Sequence, residues 1–166
     1  PIATELRNWA PLTIGGLLAL AVFGGGKGRT AVLLAIILIA ATDQLSSHFL
    51  KPLIGRQRPC HDVEGVRLLY RCGKTLAFPS SHATNSMAAA IFFGLLYRRS
   101  LWPLIAVSIL VSYSRVYLGL HYPFDTVGGW VIGGSLAGSA VWMYHRYAQP
   151  FMNRFRPFRE QSVGSA

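Results

Sequence analysis

Residues 30–50 read T-A-V-L-L-A-I-I-L-I-A-A-T-D-Q-L-S-S-H-F-L. The run is long enough to cross the hydrocarbon core of a bilayer, which takes about 20 mostly apolar residues. It nevertheless carries Asp43, Gln44 and His48 towards one end. Four further stretches are similarly apolar, at 9–23, 81–97, 101–119 and 124–144. One such helix buried in a soluble protein would be ordinary. Five in 166 residues leave no polar surface to cover them. The fold expected is therefore all-α, an integral membrane bundle of about five transmembrane helices in a single domain over 1–166.

Composition agrees with that reading. Hydrophobic residues make up 52% of the chain and charged residues 13%, where soluble domains carry about a quarter charged. This excludes a disordered chain, a coiled coil and most soluble enzymes. Sixteen Lys and Arg against six Asp and Glu give a net charge of +10, while mean hydropathy stays positive at +0.37. A nucleic-acid binder of that charge is far more polar, so no nucleic-acid partner is expected. Basic and apolar together predict a protein of the bilayer that handles an anion. Pro1 in place of Met implies processing or a segment upstream. No cleavable signal pattern is visible, because the first apolar run follows no basic stretch and no A-x-A site follows it.

If the spans alternate, the connections 24–29 and 98–100 and the tail 145–166 share one side. The N-terminus, the long segment 51–80 and the turn 118–123 share the other. Lys and Arg number 8 on each side, so the positive-inside rule gives a draw unless some of the charges on the second side are held for chemistry.

The polar residues at the span ends suggest that they are. Lys51 and Arg58 follow the second span in K-P-L-I-G-R-Q-R-P, Ser80, Ser81 and His82 open the third in F-P-S-S-H-A-T, and Arg115 closes the fourth. His121 and Asp125 open the fifth. Charged groups at membrane depth are costly and mark functional sites. Lys51, Arg58 and Arg115 would repel one another without an anion between them, and Arg offers a planar fork suited to phosphate oxygens. Ser80 and Ser81 precede a helix start, where unpaired backbone N–H groups also favour an anion. His121 and Asp125, four apart, can hydrogen-bond, which fixes one imidazole tautomer and sharpens the other nitrogen as a nucleophile. His82 can serve as general acid. Two-metal phosphatases need several carboxylate ligands, and of the six acids only Asp125 sits in this cluster. Asp62 and Glu64 are badly placed. No metal and no cofactor are expected.

K-x6-R-P at Lys51–Pro59, P-S-x-H at Pro79–His82 and S-R-x5-H-x3-D at Ser114–Asp125 resemble the three-part signature of the type 2 phosphatidic acid phosphatase (PAP2) family, in its bacterial membrane lipid phosphatase branch. The family also includes vanadium-dependent haloperoxidases and bacterial acid phosphatases. Ser81 departs from the pattern, which usually has Gly there. The resemblance implies a metal-independent reaction in two steps. His121 attacks phosphorus to form a phosphohistidine, Asp125 orients it, and His82 protonates the leaving group and then activates water. Lys51, Arg58, Ser80, Ser81 and Arg115 hold the phosphoryl oxygens. It also implies a site on the extracytoplasmic face of a bacterial inner membrane, with 145–166 as a cytoplasmic tail. With Lys51, Arg58 and Arg115 set aside as catalytic, the basic count becomes 8 inside against 5 outside.

Other residues carry weaker signals. Asp43 orients Lys51 or makes a structural hydrogen bond. Arg56 reads equally as a headgroup contact or a solvated charge. Cys60 and Cys72 can close a disulfide in an oxidising compartment or stay free. Arg67, Arg71 and Lys74 read as solvated charge, with contact to an anionic headgroup as the alternative. Gly129-x3-Gly133 and Gly134-x3-Gly138 allow close helix packing, and Trp142, Tyr144, His145 and Tyr147 form an interfacial belt.

The expected function is an integral membrane lipid phosphatase. Its candidate substrates are undecaprenyl diphosphate, the 1-phosphate of lipid A, phosphatidylglycerophosphate and phosphatidic acid, with a lean to a lipid diphosphate or the glycosyl phosphate of lipid A. The alternatives are a lipid phosphotransferase using the same phosphohistidine and a non-catalytic anion-binding or transport protein. A haloperoxidase is disfavoured, since five spans suit a lipid better than halide chemistry.

Overall fold

The structure, a computed structural model, describes residues 6–64 and 72–154. Among the described residues there are five long helices: α1 (Leu6–Phe23), α2 (Gly25–Gln44), α5 (Ser81–Leu96), α6 (Leu101–Tyr117) and α7 (Pro123–Met143). Three short ones accompany them: α3 (Lys51–Ile54), α4 (Pro59–Asp62) and α8 (Gln149–Arg154). Arg67, Arg71, Arg156 and Arg159 lie outside the described residues.

Glycines set several boundaries. Gly25 has φ +60° and forms the elbow between α1 and α2, a conformation only glycine adopts cheaply. At Gly28 an added Cβ would run into the Leu20 carbonyl, so α1 and α2 meet closely there. Residues 25–29, read from sequence as a basic connection, are therefore helical. Lys27 in that first turn donates to the Leu96 carbonyl oxygen at 3.0 Å and lies 4.7 Å from the Tyr97 ring centroid. Beyond Gln44 the helix continues through a π-helical segment, Leu45–Leu50, into α3. Gly55, at φ +67°, stops it: the Gly55 N–H reaches back to the Lys51 carbonyl at 3.0 Å. Gly119, at φ +69°, ends α6 in the same way. Pro123 then opens α7 at a position where its missing N–H costs nothing. A second π-helical segment, Tyr144–Ala148, carries α7 into α8, so the first part of the expected tail is helical.

α5 is the hub, packing on α7, α6 and α2, while α1 leans on α2. Small residues allow this. A Cβ at Gly129 would sit 3.0 Å from the Ser80 carbonyl oxygen and the Ala83 Cβ, and one at Gly133 would run into the Thr84 carbonyl. Gly134 makes only ordinary contact with Met87 and Ile91, and Gly138 faces open space. Of the two glycine pairs, the first is thus the packing seam. Its pairings, Ser80 with Gly129 and Thr84 with Gly133, run in the same direction, so α5 and α7 are parallel and α6 is the crossover between them.

The core holds Ala31, Ala35 and Leu38 of α2, Ala88, Phe92 and Leu96 of α5, and Ala137 and Val141 of α7. Polar clasps join the helices: Thr42 Oγ1 donates to Asn85 Oδ1 at 2.7 Å, Trp130 Nε1 donates to Ser112 Oγ at 2.8 Å, and Ser86 and Ser108 pair at 2.9 Å. Outward faces show the opposite chemistry. Leu33, Ile36, Ile37, Leu110, Val131 and Trp102 are exposed. With side chains of this kind on the outside, the solvent of the bundle is hydrocarbon, and the protein is an integral membrane helical bundle.

Candidate active site

The glycine stops at 55 and 119 and the starts of α5 and α7 lie at one end of the bundle. The Ser80 N–H donates to the Asp125 carbonyl oxygen at 3.0 Å and couples the two helix starts. The peptide bond Phe78–Pro79 just before is cis.

Asp125 is fully buried. Its Oδ2 accepts the Tyr122 N–H at 2.8 Å, and the Asp125 N–H donates to the Tyr122 carbonyl oxygen at 3.0 Å. This reciprocal pair fixes the carboxylate at the first turn of α7. The same Oδ2 lies 3.5 Å from His121 Nδ1, an ion-pair distance longer than a good hydrogen bond. Burial pushes the His121 imidazole below its usual value. The nearby Arg58 and Lys51 act the same way, and Asp125 opposes them. The ring is therefore neutral, with a free lone pair, at neutral pH.

Arg58, 9% exposed, bridges two segments. Its Nε donates to the Thr75 carbonyl oxygen at 2.6 Å and its Nη2 to Thr75 Oγ1 at 2.6 Å. Nη1 reaches towards the Leu120 carbonyl at 3.5 Å. Lys51 and Arg115 are buried as well. His82, in the first turn of α5, stands within electrostatic reach of Arg115, His121, Lys51 and Arg58, and Lys51 within reach of Arg58, Asp43 and Asp125. The structure thus gathers Lys51, Arg58, His82, Arg115, His121 and Asp125 in one neighbourhood. Ser80 Oγ, fully buried, has no hydrogen-bond partner among the described residues. Ser81 Oγ is turned to the π-helical segment Leu45–Leu50, 3.3 Å from Ser47 Oγ. Ser47 in turn donates to Asp43 Oδ1 at 3.5 Å, too long to hold either group firmly. Among the described residues, the buried cations Lys51, Arg58 and Arg115 outnumber the carboxylates within reach of Lys51, Asp125 and Asp43, an excess of positive charge that an anion would neutralise.

Cys60 and Cys72 are joined in a disulfide with Cα atoms 6.1 Å apart. It closes the segment after Arg58 and ends three residues before Thr75.

One contact was not legible as such. Arg56 Nη1 lies 3.1 Å from Asp125 Oδ1, and its guanidinium carbon sits 4.3 Å from the centroid of the Tyr122 ring. The Tyr122 hydroxyl donates to Asp62 Oδ2 at 3.2 Å. The sequence signal was there in outline: Arg56 follows the helix-stopping Gly55 and stands two residues from Arg58.

Comparisons with known proteins place these features in a family. The chain is 43% identical over 104 residues to the lipid A 4'-phosphatase of Bacteroides thetaiotaomicron, covering 58% of this chain and 46% of that protein. It is 36% identical over 126 residues to the lipid A 4'-phosphatase of Porphyromonas gingivalis, covering 72% and 51%. With the undecaprenyl-diphosphatase BcrC of Bacillus subtilis the identity is 29% over 137 residues, covering 82% and 69%. The chain spans about half the length of the first two relatives. Among solved structures, a transmembrane PAP2-type phosphatidylglycerolphosphate phosphatase from Bacillus subtilis matches in fold, with a TM-score of 0.66, 22% identity, and coverage of 95% of this chain and 76% of that one. The PAP2 superfamily model matches residues 31–149, the stretch that runs from the core of α2 through every cluster residue to the start of α8, and the chain belongs to that superfamily.

Proposed function

We propose that this protein is a membrane lipid phosphatase that removes a phosphate group from a lipid phosphate or diphosphate by way of a phosphohistidine at His121. The observation that carries the reading is the buried His121–Asp125 pair set among Lys51, Arg58 and Arg115 with His82 alongside. An anion-binding protein would need the cations but not the imidazole–carboxylate pair.

The reaction proceeds as follows. Lys51, Arg58, Arg115, the Ser80 hydroxyl and the N–H groups at the start of α5 hold the phosphoryl oxygens and the charge that develops on them. Asp125 holds the Nδ1 side of His121, and Nε2 attacks phosphorus. The bond from phosphorus to the leaving oxygen breaks, and His82 gives that oxygen its proton. Water then attacks the phosphohistidine and passes a proton to His82. The P–N bond breaks, and phosphate leaves. The donor set suits this route better than a metal route, because Asp125, the carboxylate at the centre, is already engaged by Arg56 and Tyr122.

The substrate class follows from the surroundings and the relatives. The apolar outer faces keep the lipid chain in the bilayer, and relatives named for lipid A and undecaprenyl diphosphate support a substrate with a sugar-linked phosphate or a diphosphate. We place the site at the extracytoplasmic face of a bacterial inner membrane, where a disulfide such as Cys60–Cys72 persists. The test is phosphate release from a panel of purified lipid phosphates by the protein in detergent, with chelator present. The expected result is turnover that survives chelation and is abolished in His121→Ala. Release at the wild-type rate by His121→Ala would end the mechanism. Labelled phosphate appearing on an acceptor lipid rather than as free phosphate would make it a transferase.

A further inference from the structure

Asp125 has two oxygens and two different duties. Oδ2 faces the Tyr122 N–H and His121 Nδ1, while Oδ1 faces Arg56 Nη1 at 3.1 Å. A fully buried carboxylate is costly unless paired, and the nearby imidazole, neutral at neutral pH, supplies no full charge to do it. Arg56 does. It is itself held in place: the Tyr122 ring lies against its guanidinium at 4.3 Å, and its own carbonyl oxygen accepts the Ala77 N–H at 2.8 Å. Its side chain remains 39% exposed, so it bridges the buried carboxylate and the open end of the site.

We infer that Arg56 is a positioning residue for the phosphatase reaction: it grips Oδ1, fixes the turn of the Asp125 carboxylate, and so leaves Oδ2 aimed at His121. The inference rests on the function proposed above. Arg56 touches Asp125, not the phosphoryl group, so it acts on the chemical step through the orientation of the nucleophile rather than on substrate capture. Arg58, two residues away, differs in kind: Thr75 braces its Nε and Nη2, and the function proposed above assigns it to the phosphoryl oxygens rather than to Asp125. Lys at position 56 keeps the charge and should keep most of the effect.

The experiment is a double-mutant cycle on steady-state phosphate release from the lipid phosphate that the wild type turns over best. Arg56→Gln should lower kcat about 10- to 100-fold, the scale of a misplaced catalytic group, with KM little changed. Arg56→Lys should recover most of the loss. In the Asp125→Asn background, Arg56→Gln should cost nothing further, because the group through which Arg56 acts is already neutral. The double variant carries neither charge of the pair, so it tests the coupling even if the single Arg56→Gln protein fails to fold. A KM rise without a kcat fall, or losses that multiply across the cycle, would overturn the inference and make Arg56 a substrate contact. Full activity of Arg56→Gln beside an inactive His121→Ala would overturn it while leaving the phosphohistidine reading standing. A wild-type protein without phosphate release would overturn both.

Discussion

Gly133→Ala adds one methyl group at the closest point of the α5–α7 seam. Built on the present backbone, the new Cβ meets the Thr84 carbonyl oxygen far inside contact distance and the Ala88 nitrogen at 3.1 Å. Both neighbours are backbone, which has no rotamer to yield. α7 must therefore move away from α5 by about 1 Å to restore ordinary separation. Overpacking of this kind costs about 1–3 kcal/mol. The displacement matters more than the methyl, because α5 carries His82 and follows directly on Ser80, while α7 carries Asp125 and begins two residues after His121. A shift of about 1 Å between catalytic groups is worth about 100-fold in rate. The assay pairs phosphate release with thermal unfolding in detergent, and the control is Gly138→Ala, whose Cβ meets nothing within 4 Å. Expected are a lowered melting temperature and a kcat down by one to two orders of magnitude for Gly133→Ala, and neither for Gly138→Ala. Wild-type kcat and melting temperature in Gly133→Ala would show that the seam is not the rigid frame of the site.

Two other outcomes follow from the geometry. In a 15N-histidine NMR titration the His121 ring should protonate below its ordinary midpoint of about 6.5, since burial, Arg58 and Lys51 all disfavour the cation. The folded state then binds that proton less readily than the unfolded chain, so stability present above about 6.5 is lost as pH falls below that value and through the lower folded midpoint; a midpoint above 6.5 would contradict the environment described. Replacing both Cys60 and Cys72 with Ser removes a loop closure worth about 3 kcal/mol in the unfolded chain. It also loosens the segment whose Thr75 anchors Arg58, so the melting temperature should fall and KM for the lipid phosphate should rise; an unchanged KM would mean that Thr75 is held without the disulfide.

Much of this was open to reading in the chain. Apolar runs of span length located the long helices, because hydrocarbon allows little else, and six of the eight residues singled out around a phosphate converge at one end of the bundle with Ser80 beside them. Helix ends were less legible. Gly24 to Arg29 reads as a connection because glycines and cations cluster there, yet a single left-handed glycine makes the turn, and Lys27 finds a carbonyl 69 residues away. The π-helical segments leave no mark in hydropathy. Ser81 turns to Ser47 because the π-helical segment after α2 passes beside the start of α5, a tertiary fact. Arg56 is ambiguous for the same reason: an exposed arginine and one that grips a buried carboxylate are identical in sequence, and only the contact with Asp125 at the start of α7 separates them.

The parallel run of α5 and α7 has an electrostatic result of its own. In an up-and-down bundle, neighbouring helix macrodipoles oppose and cancel. Between α5 and α7 they run the same way, and each brings about half a positive elementary charge to its beginning, while α6, running the other way, sets its negative end at the same end of the bundle. Both beginnings lie at the same end, joined through Ser80 and Asp125. That share of the field is made of peptide groups. It does not titrate, and no single side-chain substitution removes it, so the N–H groups that face an anion at these two beginnings are set there by the chain's topology.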